Sequence, residues 1–204
     1  MASLVLDPLL EDQLKRERAR TGADRYDEVW DGVNVMSPIA NNEHQYLATY
    51  LAMAIGAGIR TPDVGTVFQG CNVSDQEADW TRNYRVPDVA VFLKGNLAQD
   101  RESYWCGGPD FAVEIVSPND RSREKFDFYF IVGVRELLIL DRKPWQLELY
   151  RNEGTELALI GRCTPAKSKS LNSAVIPFGF SLAAGRPRPK VLVTRTADGH
   201  TTRI

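Results

Sequence analysis

The chain has 204 residues, 43% of them hydrophobic and 25% charged, which suits one water-facing globular domain able to bury a core without covalent staples. The net charge of −2 excludes the overall basic field of a tight non-specific DNA binder. Cys71, Cys106 and Cys163 are widely spaced and lack His partners at ligand spacing, so a zinc knuckle and a disulfide framework are excluded and a reducing cytoplasm is expected.

Residues 1–24 are acidic at first and densely charged from Glu11 to Arg18, unlike a secretory signal. They are expected to form a helical arm packed on a partner subunit, with 25–204 as the single domain. No apolar stretch reaches the length needed to span a membrane. Glu28 to Met36 reads as two short strands or a hairpin around the turn dipeptide Asp31-Gly32. Ser37 to Asn42 caps a helix in which Leu47, Tyr50, Leu51, Ala54 and Ile55 follow helical spacing. Thr66 to Val73 and Arg85 to Phe92 are expected as strands, joined by a polar loop, Ser74 to Asn83, that holds Trp80. Gly95 to Gly108 reads as a long loop, mobile or covering a site. Leu137 to Leu140 is a buried strand paired with Leu147 to Tyr150, and the tail from Ser173 carries strand and turn signals.

Two carboxylates interrupt apolar strands. Asp88 lies in Val86 to Phe92 and Glu114 in Phe111 to Val116. By the period of two, Asp88 shares a face with Ala90 and Phe92, and Glu114 with Ala112 and Val116. The opposite faces are also apolar, the pattern of strands covered on both sides. Burying a carboxylate there is costly unless it is paired, hydrogen-bonded or bound to a cation. If the strands are neighbours, a divalent metal explains both. Ser117 to Asp120 then makes a strand exit with helix-capping residues, leading into a helix from Arg121 to Val132 that Gly133 stops. Arg121, Lys125 and Tyr129 fall at i, i+4 and i+8, which places Lys125 where it can lean back over the carboxylates.

These residues resemble the Uma-type restriction-endonuclease-like family, a branch of the PD-(D/E)XK nuclease superfamily. The resemblance rests on Glu28 to Gly32 with Met36 to Pro38, on His44-Gln45 opening a helix, and on Pro87 to Val91. It continues through Val113 to Pro118, Lys125, Tyr129 and Gly133 to Glu136, before a strand ending in Asp141. It implies an α/β (α+β) fold: a restriction-endonuclease-like mixed central sheet flanked by helices, with the N-terminal arm and additional β-hairpins. One departure is Val116, where such nucleases usually carry lysine two residues after the second acidic residue; Lys125 matches a lysine moved to the following helix.

The resemblance implies a Mg²⁺- or Mn²⁺-dependent endonuclease acting on DNA, working as a cytoplasmic homodimer. Asp88 and Glu114 would be the metal ligands, joined by the carbonyl of Ile115, with waters completing an octahedron. The metal would activate water for in-line attack on a phosphodiester, and Lys125 would offset developing charge or position that water. Glu28 would complete the shell directly or through water. His44, Ser117, Tyr129 and Arg121 are supporting candidates.

Plainer readings stand beside these. Asp88 is also a strand-start residue, Lys125 a solvated helix lysine, and Glu28 a strand-edge charge paired to arginine. His44 reads first as a hydrogen-bonded link between helix and sheet, Tyr129 as core with a partnered hydroxyl, and Ser117 as a cap. Arg82 and Arg85, Arg121 and Arg123, and Arg186, Arg188 and Lys190 would draw phosphate if they lined one groove. The alternative function is a nuclease-like fold without significant cleavage, serving metal or nucleic-acid binding or assembly. A glycosidase pair has little support, because the strand context matches the nuclease pattern better.

Overall fold

The computed structural model of the chain describes residues 3–4, 8–37, 40–60, 63–117 and 121–204. In chain order, helix α1 (Pro8–Thr21) is followed by strands β1 (Glu28–Trp30) and β2 (Val33–Met36), then by helix α2 (Asn42–Ile59). Strands β3 (Gly65–Phe68), β4 (Val89–Leu93) and β5 (Phe111–Val116) precede the short helix α3 (Phe126–Ile131). Next come β6 (Glu136–Arg142), β7 (Trp145–Asn152) and β8 (Leu157–Cys163), and finally β9 (Leu171–Asn172), β10 (Phe178–Ala183), β11 (Lys190–Arg195) and β12 (Thr201–Arg203).

The central sheet has six strands in the order β8-β7-β6-β5-β4-β3. Only β5 and β6 run parallel, and α3 lies on the connection between them. Every other pair is antiparallel. One face of this sheet packs against α2 and the four-stranded sheet β9-β10-β11-β12, burying Leu47, Leu51, Ile55, Val89, Val91, Phe111 and Phe180. The other face packs against α3 and a sheet of short strands that includes β1 and β2, burying Val73, Ala90, Phe92, Ala112, Phe128 and Tyr129. The mixed central sheet, the flanking helices and the extra hairpins implied by the resemblance are all present.

Local chemistry accounts for the elements. Asp31 (φ 50°) and Gly32 (φ 85°) both take the left-handed conformation that a tight two-residue hairpin requires. Asn41 caps α2 by accepting the His44 amide at 2.9 Å on its side-chain oxygen. Leu47, Leu51 and Ile55, at i, i+4 and i+8, are fully buried. Truncating any one of them to alanine should cost about 2–5 kcal/mol. Gly133 (φ 84°) stops the chain just after α3.

Four expectations need correction. Tyr50 is 42% exposed and lies outside the packed stripe of α2. The expected strand Thr66 to Val73 is broken at Gly70 (φ 66°), with β3 in the central sheet and Val73–Ser74 in the sheet of short strands. Arg85 to Phe92 divides likewise, because Pro87 offers no N–H for a ladder: Tyr84–Arg85 joins the short strands and β4 the central sheet. Gly95 to Gly108 is no free loop. It contains the paired strands Gln99–Asp100 and Trp105–Cys106, and Trp105 stacks on Phe92 with ring centroids 3.8 Å apart.

Candidate functional site

The site forms where the two sheets meet beside α3. In the register of β4 and β5, Val89 faces Val113, so the next position sets Asp88 opposite Glu114. Both side chains leave the sheet on the face expected from their alternation. Glu28 arrives from β1 in the other sheet, while Lys125 and Tyr129 arrive from the segment after β5. That segment is not the continuous helix from Arg121 to Val132 that the spacing suggests: Ser122–Lys125 is a 3₁₀ turn, and the α-helix begins at Phe126. The expected capping run at 118–120 lies outside the described residues.

Lys125 Nζ lies 2.7 Å from Glu28 Oε1, and 3.0 and 3.2 Å from the two oxygens of Glu114. The segment after β5 thus brings an ammonium to Glu114, while Val116, two residues on in the strand, carries none. Tyr129 donates its hydroxyl to Glu114 Oε1. Glu28 also accepts the Val86 amide at 2.8 Å and the Trp30 indole N–H at 2.7 Å. Asp88 Oδ2 accepts the Ile115 amide at 2.7 Å and lies 3.2 Å from His44 Nε2. His44 thus links helix to sheet and touches the site at the same time.

Burial dominates the electrostatics. It pushes the Glu114 carboxyl up to about 8; the Lys125 ammonium opposes the shift and the neighbouring Asp88 and Glu28 charges reinforce it. Burial alone would lower the lysine, but Glu114 and Glu28 hold it above the ordinary lysine range. Burial likewise works against a charged His44, yet its hydrogen bond to Asp88 and that carboxylate's charge raise it. The Tyr129 phenol is driven well up by burial and then by Glu114.

Among the described residues, no group of three or more His, Cys, Asp and Glu side chains is set to hold a metal ion unaided. The chemistry of the donors is carboxylate oxygen, the kind a hard divalent cation takes: Glu28 and Glu114 share the Lys125 ammonium, and Asp88, opposite Glu114, meets the His44 imidazole. Asp88 and Glu114 are the residues that could bind it, with water filling the remaining positions.

The other expected residues are used differently. Arg121 does not join the Lys125–Tyr129 stripe; it pairs with Glu124 and sets its guanidinium 4.8 Å from the centroid of Trp30. Ser117 Oγ accepts Arg142 Nη2 at 3.0 Å. Two of the basic residues expected to draw phosphate are engaged within the protein. Arg85 is buried between the rings of Trp30 and Phe128, at 4.6 and 4.3 Å, and Arg123 is tied to Asp141 and Glu148.

Three contributors escaped sequence reasoning. Trp30 lies two residues from Glu28 on the same strand, so the period of two already placed both on one face. Arg85 reads as a surface cation unless its aromatic neighbours are known. Arg142 is buried and joins the Val116 carbonyl at 3.2 Å and Ser117 to Asn41 and Glu43. Nothing in its local sequence signals that role.

A solved structure from Anabaena variabilis ATCC 29413, described as a "putative nuclease belonging to DUF820", matches with TM-score 0.55 and 16% identity, covering 73% of this chain and 83% of that one. At that identity the likeness establishes the fold. No curated protein matches the chain. The family model described as "Uma2: Putative restriction endonuclease" matches residues 11–185. With that match spanning most of its length, the chain belongs to the Uma2 family of restriction-endonuclease-like proteins.

Proposed function

We propose that the protein is a Mg²⁺- or Mn²⁺-dependent endonuclease that hydrolyses DNA phosphodiester bonds, with Asp88, Glu114, Lys125 and Glu28 as its catalytic set. The observation that carries this reading is the bridging of Glu114 and Glu28 by Lys125 Nζ beside Asp88. Asp88, Glu114 and the Ile115 carbonyl would hold the metal, which when bound supplies Lewis-acid charge at the scissile phosphate. Lys125, fixed by two glutamates, presents an ammonium where negative charge develops on the phosphate. Glu28 holds that ammonium in place, Tyr129 orients Glu114, and His44 orients Asp88. The reading extends to a cytoplasmic homodimer, although the expected N-terminal arm is held to its own chain where Arg18 pairs with Asp27 and Asn34 meets Glu11.

A second reading draws on a specific observation: each carboxylate already has protein partners, Lys125 and Tyr129 on Glu114 and His44 on Asp88. A nuclease-like fold that binds without cutting would keep those pairs permanently. Cleavage of supercoiled and single-stranded DNA with Mg²⁺ or Mn²⁺ separates the two. The nuclease reading expects metal-dependent nicking by wild type that is lost in folded Asp88→Ala, Glu114→Ala and Lys125→Met proteins. Nicking that survives all three substitutions, or none by wild type on any substrate, overturns it.

A further inference from the structure

The first turns of α2 carry a second surface on the side away from Asp88. Tyr46 and Tyr50 are 41% and 42% exposed, with ring centroids 4.3 Å apart. Arg188, from the segment before β11, sets its guanidinium 5.3 Å from the Tyr46 centroid and 5.5 Å from that of Trp145. Trp145 opens β7 and packs its inner side against the core. Lys143 and Arg186 are exposed beside these two residues in sequence. The surface is joined to the candidate site through side chains. Glu43 reaches both Arg188 at 3.6 Å and Arg142 at 3.3 Å, and Arg142 binds Val116 and Ser117 at the end of the Glu114 strand.

Exposed rings interleaved with cations suit one class of partner. A nucleobase offers a flat face to a tyrosine, and the phosphates beside it meet Arg188, Arg186 and Lys143. Glu43 does not spoil this charge, because two arginines already neutralise it. A second copy of the chain docking by the same face would bring the same cations with it. A base held in a duplex keeps its faces covered by its neighbours, so only an unpaired base can use this surface.

We infer that Tyr46, Tyr50 and Arg188 form a stacking subsite for an unpaired nucleobase of the substrate strand, apart from the carboxylates, and that the strand is single-stranded there. This rests on the nucleic-acid reading proposed above. The test is fluorescence anisotropy in EDTA, so that neither metal nor cleavage enters. The probes are a labelled oligothymidylate of about a dozen nucleotides, the same strand with abasic spacers, an oligouridylate and a duplex of equal length.

Wild type should bind the oligothymidylate more tightly than the abasic strand or the duplex. Tyr46→Ala and Tyr50→Ala should each weaken that binding about tenfold, the scale of one lost base–aromatic stack, whereas Tyr46→Phe retains it. Arg188→Gln should flatten the salt dependence. Equal affinity for thymidylate and abasic strands, alanine variants that bind like wild type, or no binding by wild type would each overturn the subsite. So would a Tyr46→Ala, Tyr50→Ala pair that turns a dimer into a monomer in sedimentation without changing DNA affinity, since the face would then be an interface between copies. Base-dependent binding without any cleavage in the Mg²⁺ assay keeps the subsite and ends the nuclease reading. Cleavage with unchanged binding in the tyrosine variants does the reverse.

Discussion

Trp30 donates its indole N–H to Glu28 at 2.7 Å from two residues along the same strand, and the guanidinium groups of Arg85 and Arg121 lie 4.6 and 4.8 Å from the centroid of its ring. Trp30→Phe keeps a ring for Arg85 and Arg121 but removes the donor. A buried carboxylate short of one hydrogen bond costs about 1–3 kcal/mol. The variant should unfold at lower urea with an unchanged slope, and an unchanged midpoint would mean that the hydrogen bond contributes nothing.

Lys125→Met should destabilise by about 3–5 kcal/mol, because it leaves Glu28 and Glu114 buried together without their cation. Above about pH 8, where Glu114 would otherwise ionise, adding Glu114→Gln to that variant should recover part of the loss by removing one of the stranded charges. Denaturation of the two single variants and the double variant measures the coupling. Additive losses would show that the pair is not energetically joined.

Stability should fall as pH rises from the mildly acidic range. Glu114, raised by burial to about 8, binds a proton in the folded chain that the unfolded chain has already released. Its contribution is therefore full below the ordinary carboxyl range and is lost as pH climbs through about 8. His44, which its bond to Asp88 raises despite burial, acts in the same sense, with its contribution full below the ordinary histidine range. A divalent cation needs the ionised carboxylate, so Mn²⁺ should stabilise most at the alkaline end. Thermal melts across pH with and without Mn²⁺ check both slopes, and a melting temperature that climbs with pH in the metal-free protein would contradict them.

Cys71 should resist alkylation at neutral pH. Burial pushes its thiol up to about 12, so little thiolate is present. Cys163 is fully buried and should react only on unfolding, after the half-buried Cys71 and Cys106. Mass spectrometry after timed iodoacetamide exposure gives the order, and rapid labelling of Cys71 at neutral pH would contradict its suppressed thiolate.

The carboxylates were legible because doubly covered strands leave so few polar positions that each one stands out. Asp88 and Glu114 share the face that their alternation assigned, and Lys125 and Tyr129 meet Glu114 as a spacing of four implies. Sheet membership was not legible. Gly70 and Pro87 each interrupt an apolar run without changing its periodicity, so Thr66 to Val73 and Arg85 to Phe92 read as single strands although each is shared between two sheets. Arg85 was misplaced for a related reason: charge suggests solvent, and only the tertiary arrangement reveals the rings of Trp30 and Phe128 on which it lies.

Lys125 has a consequence for assembly. Its two glutamates belong to different sheets, Glu28 to the hairpin of β1 and β2 and Glu114 to the middle of the central sheet. One ammonium thus latches two layers that, among the described residues, have separate hydrogen-bond ladders. The charge centre needs both layers in place, so it is complete only in the docked architecture. A chain cut after the first hairpin would keep every strand of the central sheet and still lose half of the latch.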